Sequence, residues 1–216
     1  MPNIYSGTDD GWITSEYSTF AGARDRTSGT SRDYAGQRDS FSVRASLTPG
    51  RPAPTYYITR SFFYFDTSSV VYTPASAEMK FFGNVNGAAD LKIVKSTQGV
   101  GVGLATSDFD SITGWVAGAD NTSNVTVYDL ATTTTWSTSG FNTIPLNATA
   151  LQDMAGEDTL KCCLIELDHD LRNDGTGMNT TNYSGLWYAD AIGTLKDPRI
   201  SYTETVDNAV FFVANF

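Results

Sequence analysis

Tyr56-Tyr57-Ile58-Thr59-Arg60-Ser61-Phe62-Phe63-Tyr64-Phe65-Asp66 is the longest aromatic β-run of the chain. Aromatic and β-branched side chains suit a pleated, half-buried surface, and a run that turns apolar on both faces near its end belongs in a central strand. Downstream, Ser76-Ala77-Glu78-Met79-Lys80-Phe81-Phe82-Gly83 alternates cleanly. Ala77, Met79 and Phe81 fall on one face, and Glu78 and Lys80 on the other.

Further short runs follow, each bounded by turn residues. Leu91 to Val94, Val125 to Leu130, Leu160 to Leu167, Gly185 to Ala189 and Pro198 to Thr203 read as strands. Phe141 to Leu146 is another, and Pro145 places it at an edge or an end, because proline cannot donate to a ladder. Ser107 to Ile112 reads as a capped helical turn ending near Gly114. Asn147 to Gly156 predicts a helix: Asn147 can cap it, Ala148, Leu151 and Met154 share a face, and Gly156 can close it. Many short strands with one or two short helices give an all-β fold, an antiparallel β-sandwich or jelly roll. With 12 Phe, 11 Tyr and 4 Trp in 216 residues, the composition agrees.

Upstream, residues 1–56 are rich in Gly, Ser, Thr, Arg and Asp, and only Trp12-Ile13 and Phe41-Ser42-Val43 look like strands there. This predicts three regions: an Arg-rich arm of long loops over 1–56, a sandwich over 57–204, and an apolar tail over 205–216. The net charge is −10, all of it from residues 67–216. Residues 1–66 balance seven Arg against seven acids, with no Lys. A nucleic-acid partner needs clustered positive charge and is not expected; nor is a membrane, since no apolar run approaches the roughly 20 residues of a span. The chain begins without a basic and apolar leader, so no signal peptide is expected.

Cys162 and Cys163 are adjacent, and in a strand they point to opposite faces, a poor geometry for a mutual disulfide. One buried thiol and one outward or opposite-layer thiol is the expectation. His169 is the only histidine, which removes most triad and zinc arrangements. Asp168, Asp170 and Asp174, with Glu166, form the densest acidic stretch. Alternation would put Glu166, Asp168 and Asp170 on one side of a strand end, where hard oxygen ligands suit calcium. The competing reading is turn chemistry around Asn173-Asp174-Gly175. No other cofactor is expected. A carboxylate pair of a glycoside hydrolase or lyase is a further alternative, which turnover lost in Asp168→Asn would reveal. Trp136, Trp187 and Tyr183 are candidate sugar-stacking platforms, set against the ordinary role of such rings in a core.

The two chain ends suggest partner contacts. Arg24, Arg26, Arg32 and Arg38 suit an interface, because the guanidinium fork pairs bidentately and is weakly hydrated; solvated loop arginines are the competing reading. Val210, Phe211, Phe212 and Phe216 form an apolar end that calls for a partner, in the same subunit or a neighbouring one.

Several phrases carry a family resemblance. Arg60 to Val70, followed by Ser76 to Phe82, resembles the "R-s-l-l-x-F-D-l-S … s-A-x-L-x-L" core of DNRLRE-type domains. Thr135-Trp136 with Gly140 to Asn147, then Glu166 to Asp170, then Lys196 to Thr203 are similar to later phrases of that family, in the same order. The name-giving motif is not present intact. The resemblance covers about residues 57–204 and implies a jelly roll similar to carbohydrate-binding modules, found in secreted bacterial proteins and in tailed-phage virions. It implies a phage virion structural protein, a surface decoration or fibre-like module in an extracellular particle. Its partners would be other virion proteins, further copies of itself and glycans. A stand-alone, non-catalytic carbohydrate-binding module is the alternative.

Overall fold

In the computed structural model, which describes residues 1–189, 193 and 195–205, the aromatic run is the hub of the molecule. The elements in order begin with β1 (Asn3–Tyr5), β2 (Gly11–Tyr17), α1 (Phe20–Arg24), β3 (Ser31–Asp33) and β4 (Arg38–Thr48). Next come β5 (Thr55–Asp66), β6 (Ser76–Asn86), β7 (Leu91–Lys95) and β8 (Phe141–Pro145). The chain then forms α2 (Ala148–Gly156), β9 (Thr159–Glu166), β10 (Tyr183–Trp187) and β11 (Arg199–Thr203).

β5 pairs along one edge with β2 and along the other with two strands in succession, β4 beside Thr55–Thr59 and β9 beside Ser61–Asp66. β6 forks in the same way: β8 runs along one edge, and β11 and then β10 along the other. β10 also pairs with β4, so the two sheets of the sandwich are joined through β4 and β10. Every strand pair is antiparallel.

Alternation along β5 sends Phe63 and Phe65 to one side and Ile58 and Phe62 to the other, and both sides are buried. The first side is the core between the sheets, where Met79, Phe81, Ile144, Leu186 and Ile200 meet Phe63, Cys162 and Leu164. The second side is a separate core, roofed by Leu104, Phe109, Ile112 and Val125 from the 97–126 loops and by Leu167 and Leu171. Each buried Phe or Leu contributes about 1.5–3 kcal/mol, so two covered faces are a substantial gain for one strand. The cysteines follow this division. Both are buried and free, Cys162 in the first core and Cys163 in the second.

The structure corrects the expected arm. Residues 1–56 are not a run of long loops: they supply β1 to β4, and β2 and β4 flank β5 directly. Backbone pairing to a strong central strand overrides the polar composition of these segments. Val125–Leu130 is not a strand either. It touches its neighbours through the isolated pairs Val94–Val127 and Asp129–Leu146 and otherwise roofs the cores. The predicted helix is α2, capped by Asn147, whose side chain accepts from the Ala150 N–H at 3.0 Å. Pro145 ends β8, which among the described strands pairs only with β6, as an edge position demands.

Candidate functional site

The acidic stretch does not form a calcium cradle. β9 ends at Glu166, and Leu167–Leu171 coils into one wide π-type turn, so strict alternation stops there. The buried Glu166 carboxylate accepts the N–H groups of Asp168, His169 and Asp170 at 2.8–2.9 Å and the Asn182 amide at 3.0 Å. Asp168 turns outward to an ion pair with Arg172. Asp170 turns inward, where both its oxygens meet Arg60 at 2.7 and 2.8 Å. Asp174 is exposed and accepts from the Thr176 N–H, which holds its carboxyl below the usual range. Among the described residues, no three His, Cys, Asp or Glu side chains are placed to hold a metal ion.

Arg24 is likewise absorbed by the fold. It is fully buried and donates to the Asp170 carbonyl at 2.5 Å, to Asp25 and to the Ala119 carbonyl. Arg60 lies between the rings of Phe109 and Trp115, 4.2 and 4.0 Å from their centroids. These side chains tie α1, β5, the π-type turn and the 97–126 loops together. Arg24 is therefore not available to a partner. Burial pulls its pKa down, and the nearby Asp170 and Asp25 carboxylates push it back up.

The other arginines stay near the surface. Arg26 lies over Tyr17 at 5.7 Å, and Arg32 over Tyr34 at 4.8 Å while donating to the Leu104 carbonyl. Arg38 is exposed, and in register it faces Trp187. Trp136 is not a surface platform. It is 6 % exposed in the first core, and its indole N–H donates to the Gly185 carbonyl at 2.9 Å. The tail candidates Val210, Phe211, Phe212 and Phe216 lie outside the described residues.

The outer face of β4, β10, β6 and β8 is where unspent chemistry collects. Trp187 stands opposite Arg38, and Phe82 opposite Phe141. The Phe82 and Phe141 rings meet edge to face at 5.2 Å. Cations cover this row. The Lys196 ammonium is 3.7 Å from the Trp187 centroid and 5.1 Å from Phe82, Arg38 is 4.9 Å from Trp187, and Arg199 is 4.0 Å from Phe141. Ring quadrupoles attract such cations, each contact contributing about 0.5–1 kcal/mol at an exposed site. No carboxylate among the described residues forms an ion pair with Arg38, Lys196 or Arg199.

Further along β10, Tyr183 packs edge-on against Phe41 at 4.8 Å, and Arg44 lies over Phe41 and Tyr57 at 4.6 and 4.0 Å. Between the two aromatic groups β4 bulges, and its backbone settles on Gly185, where a Cβ would lie 2.5 Å from the Asp39 carbonyl oxygen. A shallow depression of about 350 Å³ opens beside the bulge, lined by Arg38, Asp39, Ser40, Phe41, Asn84 and Val85. Burial raises the Asp39 carboxyl above its ordinary range, and the Phe41 N–H it accepts opposes the rise.

Of the sequence candidates, Arg38, Trp187 and Tyr183 belong to this face. Phe82, Phe141, Lys196 and Arg199 complete it and were not foreseen. The outward register of Phe82 was readable from the alternation of Met79 and Phe81; its neighbours across the sheet were not. Comparison of the chain with models of known protein families and with curated protein sequences finds no match.

Proposed function

We propose that the protein is a non-catalytic structural module of a bacteriophage particle, a surface decoration or fibre-like subunit that works through its outer β4–β10–β6–β8 face. The observation that carries the contact role is the row Arg38, Trp187, Phe82 and Phe141. The solvent face of an antiparallel sandwich is ordinarily polar, and a contiguous row of half-buried aromatic rings there supports a contact role. The fate of the acidic stretch favours a structural role over a catalytic one: Glu166 caps a turn, Asp170 neutralises Arg60 and Asp168 pairs with Arg172. The particle itself rests on the resemblance to virion modules of the DNRLRE type.

Peptide mass spectrometry and immunogold labelling of purified particles test this reading. The chain is expected as a stoichiometric component at regular positions, and particles that lack it would refute the proposal. A chain truncated before Asp207 tests the apolar tail: unchanged incorporation would remove it from the attachment.

A second reading, a stand-alone carbohydrate-binding module, is favoured by the depression beside Arg38. Phe41 offers an apolar wall, and Ser40, Asp39 and Asn84 offer groups for sugar hydroxyls. Trp187 is a poorer platform than the sequence suggested, because two cations already engage its ring. Glycan-array binding that disappears in Phe41→Ala and Asn84→Ala would support this alternative.

A further inference from the structure

The layers of the molecule set two unlike surfaces on opposite sides. On one side lies the aromatic and basic face just described, backed by the first core. On the far side, beyond β5, β9 and the second core, lies the 97–126 loop layer. Its thirty residues carry Asp108, Asp110 and Asp120 and no Lys or Arg. They also hold Val102 and Val116 out in solvent, 80 % and 50 % exposed. Hydrogen bonds from Thr122 keep the Asp120 carboxyl below its usual range, so that charge persists at neutral pH. The bases at this layer's rim are engaged locally, Arg172 by Asp168 and Arg32 by the Leu104 carbonyl.

We infer that these two faces are partners, and that the chain associates head to tail with a second copy of itself. The cationic aromatic face of one subunit would sit on the acidic, valine-bearing loop layer of the next. The inference rests on the structural-module reading and names its contact. Charge complementarity selects this occupant. Among the described residues, Arg38, Lys196 and Arg199 have no acidic ion-pair partner, in a chain whose net charge is −10, and an acidic surface of opposite position is carried by every copy. Because the two faces differ and lie back to back, the contact is heterologous, and repeating it builds a row of subunits rather than a closed two-fold dimer. The cations are held in place by the rings beneath them, which lowers the ordering cost of binding.

Sedimentation velocity on the full chain tests the inference. The wild-type chain is expected to associate with rising concentration and to weaken with salt, as screened charge pairs do. Lys196→Glu with Arg199→Glu, and separately Asp110→Lys with Asp120→Lys, should each raise the dissociation constant at least about tenfold. An equimolar mixture of these two variants should associate again, since each now offers the charge that the other lacks. The neutral forms Lys196→Gln with Arg199→Gln and Asp110→Asn serve if a reversed variant does not fold. A wild-type chain that stays monomeric to about 100 µM overturns the inference. So does association indifferent to either reversal, a mixture that fails to associate, or loss of binding to an acidic polysaccharide as the sole effect of the Lys196 and Arg199 changes. Particles that contain the chain and accept both variants normally would defeat this contact while sparing the structural role. Head-to-tail association of a chain absent from particles would do the reverse.

Discussion

Replacing Asp170 by Asn tests whether charge holds the second core together. The substitution keeps the side-chain shape and one acceptor oxygen, but it puts an amide NH₂ where a carboxylate oxygen met a guanidinium. Asp170, Arg60 and Arg24 are all fully buried. Asp170 bonds Arg60 at 2.7 and 2.8 Å and lies 3.8 Å from the Arg24 Nε. Hydrogen bonds to charged groups contribute roughly 1.5–3 kcal/mol each, and breaking a buried ion pair from one side costs about 3–5 kcal/mol. We expect a loss of about 4 kcal/mol, a large part of the roughly 5–15 kcal/mol that holds a typical domain. With a urea slope of about 2–3 kcal/mol per molar, the midpoint should fall by about 1.3–2 M. Tryptophan fluorescence is a suitable probe, because Arg60 stacks on Trp115 at 4.0 Å. A cycle with Arg60→Met should show strong coupling, the double variant losing less than the sum of the single ones. A loss below about 1 kcal/mol, or additive losses, would refute the claim that this pair fastens the loop layer to the sheet.

Trp136→Ala should cost about 3–5 kcal/mol in the same assay, as a large core truncation does, and Trp187→Ala about 1 kcal/mol or less; the opposite order would mean that the two rings are misassigned. Burial pushes the Tyr128, Tyr188, Cys162 and Cys163 groups above their ordinary values, and Asp153 adds to the rise at Tyr128. The native state therefore keeps protons that the unfolded chain gives up, so stability is level below the unfolded values and falls as pH rises past them. Above about pH 10 the slope should be about 1.4 kcal/mol per pH unit for each such group, and a urea midpoint flat through this range would contradict it. The thiols should react with a disulfide reagent only on unfolding. Asn147→Ala should cost about 1 kcal/mol through the lost cap of α2, read by thermal unfolding. Millimolar calcium should leave the melting temperature unchanged, because a ligand stabilises only a state that binds it.

The strands around β5 and β6 were legible because alternation and aromatic runs report backbone pairing directly. Ala77, Met79 and Phe81 face inward as read, and Asn147 caps α2 as read. In residues 1–56 the strands read at Trp12-Ile13 and Phe41-Ser42-Val43 lie in β2 and β4, but the full length of both was missed, because β2 and β4 are stabilised mainly by the neighbour they pair with. Asp168 and Asp170 were misplaced for a different reason. A period-two reading holds only while the strand lasts, and the π-type turn begins one residue after Glu166. Glu166 itself carries the clue, since a carboxylate followed by three N–H groups in a turn is a capping arrangement.

The outer aromatic face was half visible in the sequence. Trp187 and Arg38 lie about 150 residues apart, and only the β10–β4 register sets them side by side. The sequence does show seven arginines and no lysine in residues 1–66. The structure separates those arginines by position. Arg24 and Arg60 turn inward because the far face of β5 needs a roof, and the 97–126 loops with Asp170 provide one. Arg38 turns outward where β4 has crossed to the other sheet beside Trp187 of β10, and Arg44 lies over Tyr57, at the end of β4 that still pairs with β5. The buried pair fixes the loop layer, while the exposed Arg38 and the half-buried Arg44 lie on the opposite face. One run of arginines thus serves two layers.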